Sequence, residues 1–176
     1  INWNEKVRKA ANDAQRDYSE PYLISGWPRK NHGIEHACRA MIAGTALANL
    51  RQKYDSDFFP SLARDLDLFD VDLLGTDFDT NFANEENQKI AIGLCQIYLL
   101  YHDSARQDED VDLWDKDSAE MFFNWVRSED WPVGEREKIL AAAEKVAEMG
   151  DNKDLEEYDG RNYYYKKHPV RDEKKT

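Results

Sequence analysis

The amino-acid sequence predicts an all-α domain, and three observations carry that expectation. Apolar residues recur at helical spacing along five long stretches. Only 5 prolines and 8 glycines punctuate the 176 residues. Alternation of the kind a strand needs is confined to one short acidic region.

Residues 3–18 form the first element, a polar amphipathic helix. "SEPYLISGWPRKN" follows, and Pro21, Gly26 and Pro28 exclude regular structure there. A long helix is predicted from about Gly33 to Tyr54, with Ile34, Cys38, Met41, Ile42, Thr45 and Leu47 on its buried face. Region 55–84, "DSDFFPSLARDLDLFDVDLLGTDFDTNFAN", alternates Asp with Leu, Phe or Val and reads as a partly irregular acidic insertion. From Glu85 to His102, "EENQKIAIGLCQIYLLYH" is apolar almost all round after its first turn, the pattern of a central, buried helix. "DKDSAEMFFNWVRS" is the next helix, with Asp115 or Asp117 at its N-terminus as cap or dipole partner. "GEREKILAAAEKVAEMG" is the last, closed by Gly150 just past its end. Beyond Asp151 the chain is charged and tyrosine-rich, without a clear period.

Length and composition bound the possibilities. A chain of 176 residues is expected to be one domain with room for a real core. It opens on Ile rather than Met and closes on "DEKKT", which reads as a segment excised from a longer protein. No apolar run of ~18 residues and no signal-peptide pattern occur, so neither a membrane span nor an export signal is expected. Cys38 and Cys95 lie in apolar helical stretches and read as small core residues rather than a disulfide. The net charge of −12 is concentrated: residues 55–117 hold 17 acidic side chains against 4 basic ones, a local balance of −13. Such a surface repels nucleic-acid phosphates and favours a partner with a basic face, or it serves only as a solvated face.

Three of the 4 histidines stand in two places. His32 and His36 are four residues apart in "NHGIEHACRA", one helical turn if the helix begins at or before His32. His102 and Asp103 end the most buried helix, and in a bundle the end of a core helix can face the start of an antiparallel neighbour. That would gather His32, His36, His102 and Asp103 in one pocket. Imidazoles beside a carboxylate suit two tasks: binding a divalent metal that activates water, or acid, base and nucleophile work at phosphorus.

A histidine early in one helix followed by "HD" at the end of the next resembles the HD-domain superfamily of helical phosphohydrolases. More specifically, "HGIEHACRA" with "YHDSARQDEDVDLWDKDSA" is similar to the phosphodiesterase domain of the SidE family of Legionella effectors. "NKD" at 152–154 and the lysine-rich aromatic segment after it are similar too. The resemblance implies an HD-domain-like helical bundle with the acidic stretch around 55–84 inserted. It implies a secreted effector working in the host cytoplasm, with no metal or other cofactor. The implied reaction cleaves the pyrophosphate of ADP-ribosylated ubiquitin, releasing AMP and joining phosphoribose to a serine, or removes phosphoribosyl-ubiquitin from serine.

Carried onto this chain, the resemblance makes His32 the nucleophile that becomes a phosphohistidine. His36 and His102 neighbour it in the pocket, and Asp103 orients one of them. Glu109 is a candidate for holding a histidine in its reactive tautomer. Arg39 and Arg106 are candidate phosphate clamps, because a guanidinium presents a planar fork to phosphate oxygens. His168, in "KKHPVRD", is the candidate general acid, although Pro169 opposes a regular helix there. The late Asp-bearing helix of an HD fold is not evident before Thr176. Two other readings stand beside this one: a metal-dependent HD nucleotide hydrolase using His36, His102 and Asp103 as ligands, and a non-catalytic helical module that binds through its acidic face.

Overall fold

The structure, a computed structural model, describes residues 1–22, 25–65, 68, 83–109 and 114–151. Among these, every regular element is a helix: α1 (Trp3–Ser19), α2 (Ile34–Tyr54), α3 (Phe58–Asp65), α4 (Glu85–Tyr101), α5 (Asp115–Ser128) and α6 (Arg136–Asp151). No helix among them is long and apolar enough to cross a membrane. Most of the acidic insertion and everything after Asp151, His168 and the "NKD" motif included, lie outside the described residues.

α4 is the axis of the bundle and packs against α1, α2, α5 and α6. Asn84 starts it, its side-chain oxygen accepting from the Glu86 and Asn87 N–H groups, and Glu85 and Glu86 sit favourably at the positive end of its dipole. Beyond that turn Ile90, Leu94, Ile97, Leu100 and Tyr101 are buried, each aliphatic side chain contributing roughly 1.5–3 kcal/mol. Gly93 is where α1 crosses closest, for a Cβ there would overlap the Trp3 indole. α1 buries Ala10, Ala14 and Tyr18, each one turn apart. α5 and α6 complete the core with Phe122, Trp125 and Val126 facing Ile139, Ala143 and Val146.

Two sequence expectations are corrected, and the condition that α2 begin at or before His32 is not met. α2 begins at Ile34 with Gly33 as its N-cap, so His32 precedes the helix. On α2 the side turned to α4 carries small residues such as Ala37 and Gly44, whereas Ile42 and Leu47 are 62% and 66% exposed. They lie off to either side of that stripe, and apolar spacing alone does not say which part of a wide apolar surface meets a neighbour. Finally, α6 continues through Gly150 to Asp151, so Gly150 does not close it. At α5, Asp115 and Asp117 lie in the first turn, where they complement the dipole, while Trp114 occupies the cap position without a side-chain hydrogen bond.

Where α5 ends, Glu129 is nearly buried and receives Lys6 Nζ at 2.8 Å and Lys9 Nζ at 2.6 Å from α1. Burial pushes its carboxyl up, but the hydrogen bonds from Lys6 and Lys9 outweigh this and hold it below its ordinary range. A carboxyl lowered in the folded state contributes stability above its unfolded pKa, and that contribution is lost as pH falls through the folded value. Glu129→Ala is therefore expected to lower unfolding free energy by ~1–3 kcal/mol at neutral pH. In urea melts the gap between the two proteins should narrow as pH falls through the lowered folded-state value.

Candidate functional site

Three strands of backbone meet at the C-terminal end of α4: the loop before α2, the first turn of α2, and the turn 102–105. His32 comes from the first, His36 from the second, and His102 with Asp103 from the third. The result is one carboxylate oxygen shared by three imidazoles. Asp103 Oδ2 lies 2.8 Å from His32 Nδ1, 3.2 Å from His36 Nε2 and 3.3 Å from His102 Nε2. The ring centroids of His32 and His36 are 5.1 Å apart, and those of His36 and His102 are 5.3 Å apart.

Hydrogen-bond logic assigns the protons. Asp103 can only accept, so His32 carries its hydrogen on Nδ1 and leaves Nε2 with a free lone pair. His102 Nδ1 faces the Leu99 carbonyl at 2.6 Å and must donate to it, while its Nε2 faces Asp103. Both His102 nitrogens thus confront acceptors at the negative end of the α4 dipole. His36 differs. Burial lowers its pKa, Arg39 adds to this, and Asp103 opposes it.

The carboxylate itself is 3% exposed and tightly framed. The Tyr18 hydroxyl donates to the Leu100 carbonyl at 2.8 Å and accepts the Asp103 N–H at 3.3 Å. Arg29 donates to the carbonyls of Asp103 and Ser104 at 3.1 and 3.0 Å, its guanidinium lying over the rings of Tyr18 and Tyr22. These contacts satisfy carbonyls that the end of α4 leaves without helical partners. Arg106 is buried, donates to the Asp108 carbonyl at 2.8 Å and stands 3.8 Å from Asp103 Oδ1. It braces the turn from inside rather than reaching into solvent.

Of the residues singled out in the sequence, the structure brings together His32, His36, His102 and Asp103, with Glu109 at the rim. Glu109 Oε2 is 3.6 Å from His32 Nε2. Arg39 lies on the open face of α2, in a loose 3.7 Å ion pair with Glu35. The sequence reading passed over Tyr18, Tyr22 and Arg29. "SEPYLISGWPRKN" advertised only that it breaks helices, and no period marks a side chain that reaches a carbonyl 74 residues away.

An apolar cavity of about 240 Å³ between α2, α3 and α4 is lined by residues such as Ala48, Phe59, Leu62, Ile92 and Cys95, and by none of the histidines. Both cysteines are free thiols, and burial pushes Cys95 up to about 11, which keeps it protonated.

A family model described as the SidE phosphodiesterase (PDE) domain matches residues 4–175. No curated protein and no solved structure matches the chain.

Proposed function

Because the chain belongs to the SidE phosphodiesterase domain family, a membership that supports a general phosphodiesterase role, we propose that it cleaves the pyrophosphate of an ADP-ribosylated ubiquitin through a phosphohistidine on His32. The observation that carries this reading is the single buried oxygen of Asp103 shared by three imidazoles, with His32 Nε2 left free.

In the first step His32 Nε2 attacks the phosphorus bonded to the ribose that carries ubiquitin. An N–P bond forms, the pyrophosphate P–O bond breaks, and AMP departs with a proton from a neighbouring acid. The Nδ1–H of His32 stays on Asp103, which stabilises the positive charge the ring acquires. His168 is the candidate to give the proton, whereas both nitrogens of His102 face protein acceptors, the Leu99 carbonyl and Asp103. In the second step a serine or water hydroxyl attacks the same phosphorus, the N–P bond breaks, and the hydroxyl proton passes to the acid that gave one up. The same sequence run on a phosphoribosyl-serine linkage would remove the modification. Arg39, exposed beside His36, is positioned to meet substrate phosphate by leaving Glu35.

A second reading is favoured by one specific observation. His32, His36 and Asp103 each offer a ligand atom, and those atoms all lie within 4.8 Å of one another. That donor set suits a divalent transition metal, which would activate water for hydrolysis of a nucleotide.

One experiment separates the readings. The protein is incubated with ADP-ribosylated ubiquitin in excess chelator, and AMP and phosphoribosyl-ubiquitin are followed by mass spectrometry. AMP release at an unchanged rate is expected. Loss of release in chelator, restored by zinc or manganese, together with stoichiometric metal by elemental analysis, would replace the phosphohistidine mechanism with the metal-dependent one.

A further inference from the structure

We propose that Tyr22 is a positioning residue for the reacting histidine: its hydroxyl fixes Glu109 so that one carboxylate oxygen stands beside His32 Nε2. The proposal rests on the reading of His32 as nucleophile and concerns what holds its surroundings in place.

Tyr22 is built into the fold with unusual care for a loop residue. Its side chain is 1% exposed. Its N–H donates to the Trp27 carbonyl at 3.0 Å and its carbonyl accepts from Gly26 N–H at 2.7 Å, closing a tight turn. Gly26 has φ +69°, a conformation that side-chain-bearing residues seldom adopt. Arg29 stacks over the ring. From this rigid base the hydroxyl donates to Glu109 Oε1 at 2.6 Å, and the Lys30 N–H adds 3.2 Å to the same oxygen. Only Oε2 is left to face His32, at 3.6 Å.

That geometry has a chemical consequence. Glu109 is an exposed residue on a loop, and an untethered glutamate would sample several rotamers. Tethered by one oxygen, it keeps the other in place, so the His32 ring is bracketed by Asp103 at Nδ1 and Glu109 at Nε2. When Nε2 gives its lone pair to phosphorus the ring becomes cationic, and a carboxylate already in position stabilises that charge without reorganising. The separation of 3.6 Å exceeds hydrogen-bond length, so Glu109 does not hold the lone pair back.

The ionisation states agree. Burial pushes Glu109 up, but the hydrogen bonds from the Tyr22 hydroxyl and Asn31 bring it below its ordinary range. Burial and the Glu109 carboxylate raise the Tyr22 phenol, which therefore remains a donor. The groups facing this pair are His32, Lys30 and Asn31 from the loop before α2, with Arg29 and Arg106 nearest the Tyr22 ring; Asp103 lies beyond His32.

Tyr22→Phe keeps the buried ring and removes only the hydroxyl. Titration of the Glu109 carboxyl carbon by NMR should show its midpoint move up in the variant. The turnover of AMP release should fall roughly ten-fold with KM little changed. On a Glu109→Gln background the added Tyr22→Phe change should cost nothing further, because both substitutions remove one interaction. Glu109 titrating alike in both proteins, or losses that multiply, would overturn the proposal. The nucleophile reading is separated from it by His32→Ala. Inactive His32→Ala beside unaltered Tyr22→Phe removes the Tyr22 proposal alone, whereas full turnover by His32→Ala removes both.

Discussion

His32→Ala is expected to lose at least about a thousand-fold in the rate of AMP release from ADP-ribosylated ubiquitin, with no phosphohistidine trapped on the protein. The substitution removes the one imidazole whose Nδ1–H is engaged by Asp103 while its Nε2 is open. His36 and His102 cannot replace it from where they stand. His36 turns its Nε2 toward Asp103, and His102 has both nitrogens committed to acceptors. The fold should survive, because His32 precedes α2 and sits at the pocket mouth rather than in the core. A shift in unfolding free energy of under about 1 kcal/mol is expected, since one hydrogen bond is lost and Asp103 keeps its other neighbours. Wild-type turnover in this variant, measured by mass spectrometry on a protein shown to be folded by circular dichroism, would end the assignment.

Asp103→Asn should be nearly as damaging, for a different reason. The amide keeps the shape of the side chain and removes the charge that three imidazoles share. It also places NH2 hydrogens or a neutral oxygen where His32 requires an acceptor, so the ring can turn over to its other tautomer and present N–H to the phosphorus. A loss of roughly 10²–10⁴ in turnover is expected, comparable in kind to replacing the orienting carboxylate of a catalytic triad. Unlike His32→Ala, this variant should also be less stable, by ~1–3 kcal/mol, because the buried carboxylate loses its charge-assisted contacts to His32, His36 and His102 and its 3.8 Å ion pair with Arg106. A variant that turned over at more than about a third of the wild-type rate would show that the carboxylate is not what orients the nucleophile.

The two variants probe different layers of one site. In the proposed mechanism His32 offers the reactive atom, and Asp103 decides which atom that is. Behind Asp103 stand Tyr18, Arg29 and Arg106, none of which reaches the substrate side; they hold the carboxylate in a turn that would otherwise end α4 with unsatisfied carbonyls. Placing catalytic groups on the end of the most buried helix ties their geometry to the core.

The sequence by itself determined the helical class, the bounds of five helices to within two residues, and the central place of α4. These are local or compositional properties: a helix of apolar residues on every side has nowhere to go but the middle. It also singled out His32, His36, His102 and Asp103, because rare residue types at one-turn spacing and at a core helix end are visible along the chain. Only the tertiary structure decided which part of α2 is covered, leaving Ile42 and Leu47 outside, since that depends on where α4 crosses Gly44. Only it turned Arg106 inward while Arg39 stayed in solvent, because a guanidinium's role follows from which acceptors surround it. And only it brought Tyr22 to Glu109, 87 residues away, and Arg29 to the turn at Asp103. Hydrogen bonds between loops leave no periodic trace in a sequence, because their partners are chosen by how the helices between them pack.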